Sequence, residues 1–255
     1  MKEFKKDTLL VKIMPNRDEM GKIAAADIHD TIVKLLREKD HINMIFAAAP
    51  SQNDVLLHLT AYQDIDWQRI HAYHMDEYIG LPKNLADKSF GTYLRAHIFD
   101  KVPFGSVNLI DATAVDYSAE CARYAAMLRE NPTDIVVMGI GENGHIAFND
   151  PWVADFQDPE LVKIVPLDGV CRMQQVNDGC FGSLEQVPTH AMTLTCPALF
   201  AGGHLFCIVP ASTKAVAVKR TLEGEIDHDC PATILRCHSS AKLYLDADSS
   251  RELGL

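Results

Sequence analysis

The sequence has no apolar run long enough to cross a membrane and no pair of cysteines spaced C-x-x-C. Its basic start, "MKEFKKDTLLVKIMP" (1–15), has an apolar core of only a few residues, which is too short for a secretory signal peptide. The seven cysteines are odd in number, which favours free thiols over a disulfide framework or a structural zinc site. We therefore expect a cytoplasmic protein.

Positive charge is also scarce. The 255 residues include 24 Lys and Arg against 35 Asp and Glu, and the formal net charge is -11. A surface this acidic repels nucleic-acid phosphates and anionic lipids, so we expect neither a nucleic-acid nor a membrane partner. A small anionic ligand stays compatible with the sequence, because local cations and backbone amides can outweigh the overall field.

Short apolar runs alternate with segments of helical periodicity. Strands are predicted over 41–49, 69–75, 134–140, 191–195, 204–210 and 241–247, and helices over 20–39, 53–62, 89–100, 117–130 and 212–224. This alternation predicts an α/β fold with a doubly wound, mostly parallel sheet and helices on both faces. No repeat or long linker divides the chain, so residues 1–255 are predicted to form a single domain. The least regular stretch, 151–188, is expected at the rim of a ligand crevice.

The stretch "GIGENGHIAFND" (139–150) has the glycine spacing G-x-G-x-x-G directly after a predicted strand. A dinucleotide site needs a helix after these glycines and an acid about 20 residues further on, at the end of a second strand. Pro151 interrupts any such helix, and no second strand ends in an acid at that distance. The spacing therefore favours glycines that let the backbone turn sharply and approach a ligand.

Polar clusters follow four of the predicted strands. They are "APSQND" (49–54), "MDEYIGLP" (75–82), "ENGHIAFND" (142–150) and "PASTK" (210–214). In open α/β sheets, ligands bind outside the carboxyl ends of the strands, so these clusters are predicted to line one crevice. The last cluster opens a predicted helix, where free amides and a lysine favour an anion.

Two of these clusters, "MDEYIGLP" and "GIGENGHIAFNDP", together resemble the glucosamine-6-phosphate deaminase (isomerase) family, within the wider group that includes 6-phosphogluconolactonases. The resemblance extends in order over nearly the whole chain. It implies a doubly wound α/β domain that converts an amino-sugar phosphate, either glucosamine-6-phosphate or galactosamine-6-phosphate, and water into a ketose phosphate and ammonia. It implies no cofactor, and the scattered histidines lack metal-binding spacing, so no metal is expected.

The resemblance also assigns roles to single residues. Asp76 matches the carboxylate that moves a proton between C2 and C1, with Glu77 as its acidic neighbour. His145 matches the histidine that helps to open the sugar ring, a task that suits an imidazole. Asp150 matches the acid that orients this histidine, and Lys214 matches a lysine that binds phosphate.

The sequence departs from the family pattern in the same places. Asn143 stands where G-x-x-D-G-H has an aspartate, so it contributes a hydrogen bond but no charge to His145. Asp150 replaces the usual glutamate. Because the side chain of aspartate is one methylene shorter, its carboxylate is displaced by about 1.5 Å. Asp150 before Pro151 is also a natural turn former.

The phosphate-binding part differs as well. A Gly- and Thr-rich turn is replaced by a segment whose Ser51, Gln52 and Asn53 can contact a ligand or simply cap the following helix. The family arginine after the irregular segment has no secure counterpart, and Arg172, although offset, is the candidate. No basic pair for an allosteric activator is evident in 155–165.

Two other functions fit parts of the sequence. One is lactone hydrolysis, as in the related phosphogluconolactonases, although "GHIAFNDP" favours the deaminases. The other is a non-catalytic sugar-phosphate sensor, which the altered residues 143 and 150 would permit. The sequence leaves open the epimer of the amino sugar, any regulation, and whether the chain forms a homo-oligomer.

Overall fold

A computed structural model describes residues 1–254. Its strands are β1 (Lys2–Lys6), β2 (Leu9–Ile13), β3 (Ile42–Phe46), β4 (Ile70–His74), β5 (Asp76–Tyr78), β6 (Ser106–Asn108), β7 (Ile135–Met138), β8 (Val162–Pro166), β9 (His190–Leu194), β10 (His204–Val209) and β11 (Ala241–Leu245). Its α-helices are α1 (Arg17–Glu38), α2 (Asn53–Thr60), α3 (Phe90–Leu94), α4 (Tyr117–Glu130), α5 (Gly169–Asn177), α6 (Cys196–Phe200) and α7 (Ala215–Glu223).

The main sheet has eight strands in the order β1-β2-β11-β10-β7-β3-β4-β6. Every neighbouring pair is parallel except the antiparallel hairpin β1–β2. The α/β fold with a mostly parallel sheet in a single domain is therefore confirmed. In the described part of the chain, no helix is long and apolar enough to span a membrane.

Helices cover both faces of the sheet, as predicted. Alternate residues of β3 point to opposite sides, so that Met44 and Phe46 join a core with α1 and α2 while Ile45 joins a core with α4, α6 and α7. All three side chains are fully buried. Burial on both faces explains why the central strands are continuous apolar runs instead of alternating ones.

The second, three-stranded sheet is a feature that the sequence did not reveal. It is antiparallel, in the order β5-β9-β8, and Asp76 pairs with Thr193 across it. The strand predicted over 191–195 belongs to this sheet, and the irregular stretch 151–188 contains β8 and α5. An apolar run identifies a strand but does not identify its partner, because pairing depends on residues far away in sequence.

We expect the central core to carry much of the stability. Replacing Leu243 of β11, which is fully buried, with alanine should lower the free energy of unfolding by about 2–5 kcal/mol, because a cavity remains. The matched control is Leu57→Ala on α2, where the side chain is 62% exposed and the expected change is within about 0.5 kcal/mol. Urea unfolding of both variants measures the difference, and equal losses would contradict this assignment of the core.

Candidate active site

A crevice opens at the carboxyl ends of β3, β4, β7 and β10. The parallel sheet brings these ends to one edge, and the order of strands reverses between β3 and β7, where ligands of such sheets bind. The crevice is lined by residues from the four segments after these strands and from α1, α3 and α5, among them Arg17, Ser51, Asp76, Phe90, His145, Phe148, Gln175, Asp178, Thr213 and Lys214. The predicted convergence of the four polar clusters is thus present in the fold.

The glycines after β7 serve the packing of His145. A Cβ atom on Gly141 would lie 2.1–2.4 Å from atoms of the His145 ring, so only glycine leaves room for the imidazole. Gly144 has φ +91° and lies against Cys230, where a Cβ would come within 2.5 Å of the sulfur atom. No helix follows in residues 141–161, so the helix N-terminus that a dinucleotide site requires is absent from this segment.

The loop that carries His145 is attached to the second sheet. Asn149 is fully buried, and its Nδ2 donates to the carbonyl oxygens of Ile146 at 2.9 Å and Leu194 at 2.8 Å. The amide of Phe148 donates to Oγ1 of Thr193 at 3.1 Å. The same β9 pairs with the strand that contains Asp76, so one antiparallel sheet holds both loops in register.

His145 and Asp150 form a buried pair at the wall of the crevice. Nδ1 of His145 lies 3.1 Å from Oδ1 of Asp150, although the angle is not that of a well-aligned hydrogen bond. Burial raises the pKa of the Asp150 carboxyl, but His145 and Asn143 outweigh it and hold this pKa below its ordinary value. An ionised Asp150 favours a proton on Nδ1, which leaves Nε2 of His145 to exchange a proton with a ligand.

Asn143 links the loop to two carboxylates. Its Nδ2 donates to Oδ1 of Asp150 at 2.9 Å and lies 3.3 Å from Oδ2 of Asp168. Its own Oδ1 accepts the amide of His145 at 3.0 Å. Because Asp150 and Asp168 both face this position, an amide that donates fits here, whereas a third carboxylate would be repelled.

Asp76 is a buried acid that opens into the crevice. The residue is 6% exposed, and among residues 1–254 no group donates a hydrogen bond to its carboxylate. Burial, together with the charge of Glu77, raises the pKa of the Asp76 carboxyl well above its ordinary value. A carboxylate held this way is a stronger base than one in water.

Glu77 has a different environment and a structural role. Its carboxylate accepts the amides of Tyr78 at 2.9 Å, Phe90 at 3.0 Å and Gly91 at 2.8 Å. These contacts satisfy the first amides of α3 and place Phe90 against the crevice. Of the two adjacent acids, only Asp76 lines the crevice.

Lys214 and Ser51 lie on the crevice wall as predicted, with Gln52 behind Ser51. Lys214 is 4% exposed and its Nζ has no hydrogen-bond partner among the described residues. Burial lowers the pKa of Lys214, an effect opposed by Asp178 and Glu142. Nε2 of the fully buried Gln52 donates to Oγ of Ser51 at 2.9 Å, which leaves the Ser51 hydroxyl hydrogen free to donate.

Asn53 and Arg172 are not brought to the crevice wall. Asn53 accepts a hydrogen bond from the hydroxyl of Tyr93 at the start of α2. Nη2 of Arg172 donates to the carbonyl oxygens of Leu184 at 2.8 Å and Val187 at 2.9 Å, so the guanidinium stabilises the loop after α5. The position of Arg172 in the sequence suggested that it lies near the site. On α5, however, its guanidinium contacts the following loop and not the crevice.

Several lining residues were missed by the sequence reasoning: Arg17, Gln174, Gln175, Asp178 and, behind Asn143, Asp168. Arg17 is a polar residue a few positions after β2, and polar residues after strands were the signal that identified the other clusters. Arg17 was not recognised because the hairpin β1–β2 had not been predicted. The acids and glutamines come from α5 and its ends, which lie inside the stretch that was considered irregular.

Comparison with known proteins identifies the family of this chain. The sequence pattern of a family described as glucosamine-6-phosphate isomerases/6-phosphogluconolactonase matches residues 15–158. The chain belongs to this family. A glucosamine-6-phosphate deaminase of Bacillus cereus is 36% identical over 186 residues, which cover 72% of this chain and 68% of the relative. One of Listeria monocytogenes is 32% identical over 209 residues, which cover 82% of this chain and 87% of the relative.

Solved structures of the glucosamine-6-phosphate isomerase/6-phosphogluconolactonase family show the same fold. A monomeric glucosamine-6-phosphate deaminase superposes with a TM-score of 0.84 at 28% identity, covering 95% of this chain and 99% of that protein. A 6-phosphogluconolactonase from Thermotoga maritima gives a TM-score of 0.73 at 20% identity, covering 92% and 98%. At 20% identity, the similarity to the 6-phosphogluconolactonase concerns the fold alone.

One group of side chains in this family member has the donor types of a metal site. Ligand atoms of His145, Asp150 and Cys171 lie within 4.8 Å of one another, and all three residues are buried. Burial and the nearby charges of Asp150 and Asp168 raise the pKa of the Cys171 thiol well above its ordinary value, which disfavours the thiolate that binds metals. The absence of a metal stays a prediction.

The arrangement around Asn143 predicts how this family member responds to the usual aspartate. Asn143→Asp removes the hydrogen bonds to Asp150 and Asp168 and adds a like charge, so the free energy of unfolding at pH 8 should fall by about 1–3 kcal/mol. The new carboxyl would have a raised pKa in the folded state, so its penalty should shrink as the pH falls to 5.

Asn143→Ala is the matched control for this charge effect. It loses these two hydrogen bonds and also the one that Oδ1 accepts from the His145 amide, but it adds no charge, so its loss of stability should stay nearly constant between pH 5 and pH 8. Denaturant unfolding at the two pH values compares the variants. Parallel pH profiles for the two variants would refute the repulsion among these carboxylates.

Proposed function

We propose that this chain is an amino-sugar-phosphate deaminase/isomerase that converts glucosamine-6-phosphate or galactosamine-6-phosphate and water into a ketose 6-phosphate and ammonia. The observation that carries the proposal is one crevice whose wall contains a buried carboxylate, Asp76, and His145, which is backed by Asp150. This combination provides a base for carbon and a proton carrier for oxygen, which are the two groups that the reaction needs. The deaminase relatives support the same class of reaction.

His145 opens the sugar ring in this proposal. Nε2 moves a proton between the C1 hydroxyl and the ring oxygen while Asp150 stabilises the charge that develops on the imidazole. Asn143 holds Asp150 and the backbone of His145 in place. Replacing the family glutamate by the shorter Asp150 still leaves a contact of 3.1 Å to Nδ1.

Asp76 then acts on the open chain. Its carboxylate takes the proton from C2 and returns it to C1, while O1 gains the proton that the ammonium group at C2 loses, so that the aldehyde at C1 becomes an alcohol through an enolamine. The nitrogen at C2 is then doubly bonded to carbon, and addition of water at C2 expels ammonia and leaves the ketone. The raised pKa of Asp76 suits both steps, because the group must accept and then release one proton near neutral pH.

Ammonia release from the two amino-sugar phosphates tests the proposal directly. We expect turnover of at least one epimer and little hydrolysis of 6-phosphogluconolactone by the same sample. Rapid lactone hydrolysis without ammonia release would instead support the lactonase alternative. Tight binding of phosphosugars by folded protein without turnover of either substrate would support a sensor.

Asp76→Asn separates activity from stability. The amide accepts no proton from C2, so kcat for ammonia release should fall by about 10²–10⁴-fold. Because the folded pKa of Asp76 lies above its unfolded value, the ionised acid destabilises the folded protein, increasingly as the pH rises from the unfolded to the folded pKa. The free energy of unfolding of Asp76→Asn at pH 8 should therefore exceed that of the wild type.

The control for this variant is Asp248→Asn, where the acid is exposed and is not part of the crevice lining. Both activity and stability of this control should match the wild type. A stability of Asp76→Asn below that of the wild type at pH 8 would show that Asp76 is not a destabilising buried charge. Retention of full activity would remove Asp76 from the mechanism.

A further inference from the structure

The cations that line the crevice are Arg17 and Lys214, and only Lys214 was anticipated from the sequence. The family arginine after the irregular segment has no secure counterpart in the sequence, and the offset Arg172 was the candidate for this substrate-binding role. Arg172 instead donates to two backbone carbonyls, and α5 contributes glutamines and an acid to the wall, as Gln174, Gln175 and Asp178. The second cation of the crevice comes from a different element, the first residue of α1.

Arg17 is held in place by the loop that carries Ser51. Its Nε donates to the carboxylate of Asp54, and its Nη2 donates to the carbonyl oxygen of Pro50. A guanidinium has five N–H donors, so three N–H groups stay available for a ligand. The side chain is 40% exposed, which places it at the rim of the crevice and within reach of solvent.

The neighbouring groups point to an anion as the ligand. Lys214 presents an ammonium group that is nine-tenths buried and has no hydrogen-bond partner among the described residues. The Ser51 hydroxyl accepts from Gln52 and so has its hydrogen free to donate. Asp178 is the one opposing charge of α5 on the wall, while Asp54 is already paired with Arg17.

On the basis of the proposed function, we propose that Arg17 binds the phosphate group of the substrate together with Ser51 and Lys214. An arginine from α1 thereby takes the role that Arg172 of α5, which is bound to the backbone of the following loop, does not fill. Two guanidinium N–H groups can meet two phosphate oxygens side by side, which gives strong, charge-assisted hydrogen bonds. Arg17 then distinguishes phosphorylated from unphosphorylated amino sugars.

The test measures ligand binding and kinetics for Arg17→Ala. We expect KM for the amino-sugar phosphate to rise about 10–100-fold, with kcat changed less than about threefold, because the contact is made equally in the ground state and transition state. Calorimetry should show a similar loss of affinity for the sugar phosphate and for inorganic phosphate. Binding of unphosphorylated glucosamine should stay unchanged.

Matched variants separate recognition from structure. Arg37→Ala makes the same change at the exposed last turn of the same helix and should leave every constant within about twofold. Arg17→Lys keeps a charge without the fork of donors and should lose less affinity than Arg17→Ala. Asp54→Asn removes the ion pair that positions Arg17 but keeps the cation, so it should also lose less.

The outcomes of these measurements are distinct. If Arg17→Ala binds both phosphate ligands as tightly as Arg37→Ala, Arg17 does not bind phosphate. If Arg17→Ala does not fold, the comparison of Arg17→Lys with Arg37→Ala decides. Loss of affinity in Arg17→Ala, in a protein whose wild type releases no ammonia, would support the inference while the proposed reaction fails.

Discussion

The parallel pairing of β7 with β3 and β10 is the constraint on which the site depends. Parallel strands point their carboxyl ends to one edge, so segments that are far apart in sequence end beside one another there. The loop of His145, the Ser51 segment and the turn before Lys214 all leave this edge. The apolar side chains of the strands on both faces hold this geometry, because each strand is buried by helices from both sides.

The second, antiparallel sheet fixes the strand of Asp76 and the loop of His145 relative to each other. β9 pairs with the strand of Asp76, and through Thr193 and Asn149 it also fixes the loop of His145. A short antiparallel sheet therefore sets the position of the proposed base relative to the proposed acid. Proton transfer between neighbouring atoms needs this precision, because a misplacement of about 1 Å lowers rates strongly.

Acidic groups in and around the crevice have opposite environments. His145 and Asn143 contact Asp150 and stabilise its charge, whereas burial and the charge of Glu77 destabilise the charge of Asp76. Glu77 itself is bound by three amides. The same side-chain chemistry thus serves loop structure at Glu77 and the proposed orientation and proton transfer at Asp150 and Asp76, and the difference arises from burial, hydrogen bonding and neighbouring charges.

Much of the fold could be predicted from local patterns, since α1, α4, β3, β7 and β10 agree with the apolar periodicity to within a few residues. The sheet β5-β9-β8 could not, because Asp76 pairs with Thr193, which is far away in sequence. The hairpin β1–β2 was missed although it is local, with Lys6 paired to Leu9, because the short apolar pattern of residues 1–15 was not assigned to strands. For the site, Ser51, Asp76, His145 and Lys214 line the crevice as the motifs indicated. Arg172 does not, because the orientation of α5 is a property of packing.

The sequence by itself determined the class of fold, the family and the identity of the polar residues at the strand ends, because periodicity and short motifs are local properties. The tertiary structure decided which of these residues share a wall and what their surroundings do to them. Only packing shows that Asn143 lies between two carboxylates and that Arg17, near the start of the chain, reaches the crevice that also contains Lys214. Burial and hydrogen bonding depend on neighbours that are distant in sequence, and these neighbours set the charge and position on which chemistry depends.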